Sequence, residues 1–112
     1  MLTSGDVISL ELGNPVGSEA GLRRLAVVVT AQRILDGGPN VVQVVPLTRT
    51  IRHSGAEVTL LADAQNGLDV SSAAQCQHIR SVAVRRISHA MGNVGPSALR
   101  QIREVLILII DA

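Results

Sequence analysis

Residues 23–29 read Arg23-Arg24-Leu25-Ala26-Val27-Val28-Val29, two cations running into five apolar residues. An unbroken apolar run this short fits a strand buried on both faces rather than a one-sided strand. A second run, Val41-Val42-Gln43-Val44-Val45, reads the same way and leads into Pro46-Leu47-Thr48. Pro46 has no N–H for a ladder, so the strand is expected to leave the sheet there, at an end or an edge. Arg24 therefore stands where one buried strand begins, and Thr48 just after another ends. An arginine held at such a rim suits a phosphate, and an ion pair with Glu19 explains it as well. Thr48 taken alone also fits an ordinary turn hydroxyl.

Working outward, Gly5-Asp6 signals a turn before Val7–Leu12. There Ile8, Leu10 and Leu12 share one face and Ser9 and Glu11 the other, the pattern of a half-buried strand. Gly13-Asn14-Pro15 ends it, and a loop continues through Gly17–Gly21. Ala31–Leu35 fits a short helical turn closed by Gly37-Gly38-Pro39. Glu57–Leu61 is a further strand, followed by an Asn66-Gly67 turn. Ala73–Ser81 predicts a strand with one face over a functional surface. On alternation Cys76, His78 and Arg80 share a face, with Gln75, Gln77, Ile79 and Ser81 opposite. Val82–Arg86 fits no one pattern, and Ile87–Asn93 predicts the last strand. Gly95-Pro96-Ser97 opens a helix, Pro96 suiting its first position. Leu99, Ile102, Leu106 and Ile109/Ile110 form its buried stripe, while Arg100, Arg103 and Glu104 keep the other side wet. From Val105 to Ile110 the helix is apolar nearly all round, which calls for more than one covering surface. The expected fold is mainly β with a C-terminal helix: a small antiparallel barrel capped by that helix, as a single domain over residues 1–112.

Composition narrows the chemistry. The 112 residues are 46% hydrophobic and contain no Phe, Tyr or Trp, so the core is built from Val, Leu and Ile. This excludes readers that stack bases on aromatic rings, and aromatic cages for quaternary ammonium groups. All ten basic residues are Arg, which excludes a Schiff-base lysine and a P-loop lysine. The formal net charge is +1, so any phosphate binding needs the arginines gathered locally. His53, His78 and His89 have no paired spacing and Cys76 is the single cysteine, so neither a metal site nor a disulfide is expected. The glycines of 17–21 lead into a strand, not the helix a phosphate loop needs, and no nucleophile elbow is present. No cofactor is expected. Without a basic, apolar leader or an apolar run longer than six residues, the expectation is a cytoplasmic protein with no membrane association.

Three segments in order resemble the MazF/PemK family of toxin–antitoxin ribonucleases. The first is Gly5-Asp6-Val7, then Gly17-Ser18-Glu19 leading to Arg24 and Ala26–Val29; the second is Val44-Val45-Pro46-Leu47-Thr48. The third is His78-Ile79-Arg80-Ser81, with Arg86-Ile87 and the Pro96-started helix at compatible distances. The resemblance implies an SH3-like antiparallel barrel with a C-terminal helix, usually a homodimer. It implies metal-independent, sequence-selective cleavage of single-stranded RNA through 2′-OH attack on the phosphate, and neutralisation by a small acidic, MazE-like antitoxin that occupies the RNA groove. It implies Arg24 and Thr48 as the catalytic pair, and Glu19, Arg23, Arg49, Gln77, His78 and Arg80 as RNA-binding residues. Leu25 stands where the family usually has Pro, and His78 where it has Gln. Two other functions fit the same fold: a non-enzymatic gyrase inhibitor resembling CcdB, and a catalytically silent paralogue that binds antitoxins. An Arg–Thr pair is needed by neither, and favours the nuclease.

Overall fold

The computed structural model describes residues 1–11 and 23–111, with the backbone alone for Arg23. Among the described residues seven strands and two α-helices follow one another: β1 (Asp6–Glu11), β2 (Arg23–Val28), α1 (Gln32–Leu35), β3 (Val41–Thr48), β4 (Glu57–Leu60), β5 (Ser72–Gln75), β6 (Arg80–Ala83), β7 (Ile87–Asn93) and α2 (Gly95–Ile110). Every pairing is antiparallel, in the order β4-β5-β3-β2-β1-β7, with β6 on the first half of β3. The main class is as expected. Among the described residues the sheet does not close into a full barrel, because β4 and β7 do not pair.

β2 and β3 form the centre and are buried on both faces. Val7, Val27, Val45, Leu47, Ala74 and Cys76 pack towards α2, against Leu99 and Ile102. Ile8, Ala26, Val28, Val42, Val44 and Val82 form a second core on the opposite face with Leu35. Strand alternation sends adjacent valines into different cores, which is why these runs need no polar residue every second position. β1 departs from its expected half-buried pattern. Val7 and Ser9 are as buried as Ile8 and Leu10, because the α2 side of β1 is covered too.

Pro46 does not end β3. It lies inside the strand, opposite Ala26. Val29 N donates to Gln43 O at 3.0 Å, so residues 43 and 45 point their backbone groups at β2, and residues 44 and 46 at the other edge. On that edge β6 ends at Val44 and β5 begins at Leu47. The missing N–H of Pro46 thus falls in the gap between two partners, where no ladder bond is lost.

α2 is tied to the sheet at its N-terminus. Asn93 Oδ1 accepts from Gly95 N at 2.8 Å, while Asn93 Nδ2 donates to Asp6 Oδ1 and Ser4 O. Gly5, at φ +92, lies so close that a Cβ there would sit 2.9 Å from Asn93 Oδ1, so only glycine fits the turn. Arg103, expected in solvent, is half-buried: its guanidinium donates to Ser4 Oγ at 2.7 Å and Val29 O at 3.2 Å. The buried stripe is also shorter than its spacing predicts. Leu99 and Ile102 are buried and Leu106 partly so, but Ile109 is 42% and Ile110 67% exposed.

Candidate functional site

The site is built by strand register. Along the β2–β3 ladder Val28 faces Val44, Val27 faces Val45 and Ala26 faces Pro46. The β2–β3 pairing stops there: Arg24 lies two residues before Ala26 on β2 and Thr48 two residues after Pro46 on β3, so both stand at the same end of that ladder. Beyond that end Arg24 is paired with Leu10 on β1, and Thr48 with Ala73 on β5. Alternation puts Arg24 on the face of Ala26 and Val28, and Thr48 on the face of Val44 and Pro46, the side of the sheet away from α2. Arg80 is paired with Val44 and so shares that face, about 13 Å along β3 from Thr48. Arg24 and Arg80 are exposed, and Thr48 is half-buried.

Thr48 Oγ1 accepts from Thr50 N at 3.1 Å. This is the turn contact expected of a hydroxyl after a strand, and it also orients the group. One lone pair is occupied and the O–H proton is left to donate. Accepting a bond polarises the hydroxyl and makes it a better donor. At the same end of the ladder the Arg24 guanidinium offers a fixed charge with parallel donors, so the two side chains can serve the oxygens of a tetrahedral or trigonal-bipyramidal phosphorus through complementary hydrogen bonds.

The segment predicted as one strand from Ala73 to Ser81 is broken. Cys76–His78 form a 3₁₀ turn between β5 and β6. The turn inverts the expected faces: Cys76 is wholly buried, whereas Gln77, His78, Ile79 and Arg80 are all exposed. Cys76 therefore shares no face with His78 and Arg80. Its Sγ lies 3.8 Å from Ala74 O and 3.9 Å from Ile102 O. Burial pushes the thiol up to about 11, so it carries no nucleophilic thiolate at neutral pH. The turn packs against β3 beside the Pro46 gap, which sets Gln77 and His78 next to the start of β6.

Arg49 is exposed at the first position after β3. Arg23 is paired with Glu11 through its backbone. Its side chain lies outside the described residues, as do Glu19 and its expected rim ion pair, and Leu12. Among the described residues no group of three or more His, Cys, Asp or Glu could hold a metal ion. No described helix is long and apolar enough to cross a membrane.

One residue was not singled out from sequence. Glu57 Oε1 accepts from Arg52 N at 2.8 Å and Ser54 N at 3.3 Å, anchoring the loop that follows Thr48. The signal was present as Ser54-Gly55-Ala56-Glu57, the spacing of a capping box, used here outside a helix.

The residue pattern over 3–110 matches the family model of the PemK-like, MazF-like toxin of type II toxin-antitoxin system. The chain belongs to this family. It is 36% identical over 118 residues to a Mycobacterium tuberculosis protein named Endoribonuclease MazF9, spanning 99% of this chain and 98% of that one. Its fold matches the crystal structure of MazF from Deinococcus radiodurans with a TM-score of 0.76 and 26% identity, covering 97% of this chain and 96% of that chain. It also matches, with a TM-score of 0.76 and 16% identity, an endoribonuclease in complex with its cognate antitoxin from mycobacterial species, over 99% of this chain and 96% of that chain. The last likeness is one of fold.

Proposed function

We propose that this chain is the endoribonuclease toxin of a toxin–antitoxin pair and cuts single-stranded RNA on the face that carries Arg24 and Thr48. The observation that carries the reading is the place of Arg24 and Thr48 at the same end of the β2–β3 ladder, on the face that also carries Arg80, in a chain related over its whole length to a named endoribonuclease. The ribose 2′-oxygen attacks the adjacent phosphorus, forming a 2′-O–P bond as the P–O5′ bond breaks. The 2′ proton leaves to solvent or base, and the departing 5′-oxygen gains one. Negative charge grows on the phosphate oxygens, where Arg24 supplies a fixed cation and Thr48 a neutral donor; donors aimed at developing charge each contribute about 10²–10³ in rate. Arg24 acts by electrostatic stabilisation, since a guanidinium with a pKa above ~12 is a poor base. Glu19, Arg23, Arg49, Gln77, His78 and Arg80 bind the RNA. With no ring to stack on, base selection rests on hydrogen bonds from Gln77, His78 and the loop backbone.

The same cationic face takes an acidic antitoxin, which competes with RNA in the cytoplasm. The exposed apolar end of α2, Ile107 to Ile110, forms a homodimer contact. A sedimentation run that finds only the 11.8 kDa species contradicts the dimer.

Cleavage of a long RNA in the presence of EDTA tests the main reading. The expected products carry a 2′,3′-cyclic phosphate (or its opened form) and a 5′-OH at a limited set of sequences. Intact RNA, 3′-OH ends, or cleavage that depends on added divalent metal overturns it. A gyrase supercoiling assay run in parallel is expected to show no inhibition.

A further inference from the structure

The loop between β3 and β4 has the geometry of a held device rather than a slack connection. It leaves the sheet at Thr48, whose Oγ1 takes the Thr50 N–H at 3.1 Å, and returns at Glu57. One carboxylate oxygen of Glu57 takes two of the loop's backbone donors, Arg52 N at 2.8 Å and Ser54 N at 3.3 Å. These two residues flank His53, whose φ of +55 is a left-handed conformation that a non-glycine residue adopts only when its surroundings hold it there. Ser54 Oγ takes the Ala56 N–H at 3.2 Å, and Ala56 O in turn accepts from Cys76 N at 3.1 Å, which roots the loop's end in the buried 3₁₀ turn. Both loop ends are therefore fixed: one on the Thr48 hydroxyl, the other on the Glu57 carboxylate.

The consequence concerns the rotor at Thr48. A threonine hydroxyl turns freely unless a neighbour fixes its lone pairs, and here that neighbour is a loop amide. The Thr50 amide keeps its position only while the rest of the loop keeps its own. Without the carboxylate, Arg52 N and Ser54 N lose their acceptor, and His53 has no reason to stay at positive φ. We propose that Glu57 is a positioning residue for RNA cleavage: it holds the 49–54 loop so that the Thr48 hydroxyl points its proton at the scissile phosphate. The proposal rests on the functional reading above and adds to it a residue that touches neither RNA nor phosphate.

Four measurements on the full-length protein decide it. Glu57→Ala is expected to lower kcat about tenfold with KM changed less than about twofold, since the loss is of orientation and not of RNA contact. Glu57→Gln keeps an oxygen acceptor in the same place and is expected to stay within about twofold of the parent. In a Thr48→Ala background, Glu57→Ala is expected to lower the residual rate by less than about twofold, because two residues acting through one group are not additive. Amide exchange at Thr50, Arg52 and Ser54 is expected to speed about tenfold or more in Glu57→Ala while the Val27 and Val45 amides stay protected, which shows a folded core and needs no activity. Additive losses in the double variant, or a Gln variant as slow as the Ala variant, overturn the proposal. So does unchanged loop exchange in Glu57→Ala. RNA left intact by the parent protein overturns the functional reading instead, and the exchange data then still decide whether Glu57 holds the loop.

Discussion

In the first half of β3, Val42, Val44 and Val45 are buried to 1% or less and packed from both faces of the sheet. At the far end Thr48 is half-exposed, Arg49 just past the strand is in solvent, and the loop that follows is held by hydrogen bonds to the Thr48 hydroxyl and the Glu57 carboxylate. The two halves meet at Pro46, where the strand changes partner from β6 to β5. The difference separates what keeps the protein folded from what the site needs. Aliphatic packing is non-directional and shared among many neighbours, so it fixes the frame. A hydroxyl, a carboxylate and a guanidinium act through direction, contribute little to stability at an exposed site, and can be optimised for chemistry.

This contrast can be broken by substitutions that do the wrong thing in the wrong half. The largest effect is expected from Arg24→Ala: a loss of cleavage of about 10³-fold or more with thermal stability unchanged within about 2 °C, since the residue is exposed. Cleavage that survives this change removes Arg24 from the reaction. Next comes Ile102→Ala, on the frame side. The residue is wholly buried where α2 meets the sheet, and its truncation is expected to destabilise by about 3 kcal/mol and lower Tm by about 10–20 °C. Cleavage per folded molecule at a temperature well below the transition should be unaltered, and a chemical-denaturation series beside an activity titration reads both. Thr48→Ala follows, with about a 10²-fold loss of kcat. The neutral hydroxyl supplies less than the cation, so a Thr48→Ala loss exceeding that of Arg24→Ala would invert the assigned roles.

The frame was the legible part. Apolar, β-branched runs mark buried strands whatever they pair with, and the strands expected over Leu25–Val29 and Val41–Val45 are found as β2, which ends at Val28, and within β3; Ile87–Asn93 is β7 as expected. The family and the position of the last helix followed from motifs in order. What escaped depends on partners distant in sequence. That Pro46 sits harmlessly inside a strand requires knowing that β6 stops and β5 starts beside it. That Arg24 and Thr48 come to the same end of the β2–β3 ladder is a matter of register, which neither segment encodes alone. The alternation of 73–81 looked continuous, and only the packing of Cys76 under α2 turns the chain into a 3₁₀ step and carries His78 and Arg80 outward.

The smallest effect sharpens the comparison from the other side, with a polar residue that belongs to the frame. Arg100 and Arg103 lie one helical turn apart on α2, and both read as solvent-facing in the sequence. Arg100 is exposed, whereas Arg103 folds back to donate to Ser4 Oγ and Val29 O. Ser4 itself donates through Oγ to Thr30 O and through its backbone N–H to Gln32 Oε1, so one guanidinium joins α2 to the turn before β1 and the chain leaving β2. Removing it leaves a partly buried carbonyl without that charged donor, and Arg103→Ala is expected to cost about 1–2 kcal/mol. Arg100→Ala should stay within about 0.5 kcal/mol, as for other exposed changes. Arg103→Lys cannot present a planar fork in the same place and should recover less than half of the loss. Both arginines belong to α2, which packs on the side of the sheet opposite the one that carries Arg24 and Thr48, so RNA cleavage by the folded protein should be unchanged in all three variants. Equal stabilities for Arg100→Ala and Arg103→Ala would mean that directional contacts carry no weight in the frame, and that aliphatic packing alone seats the helix.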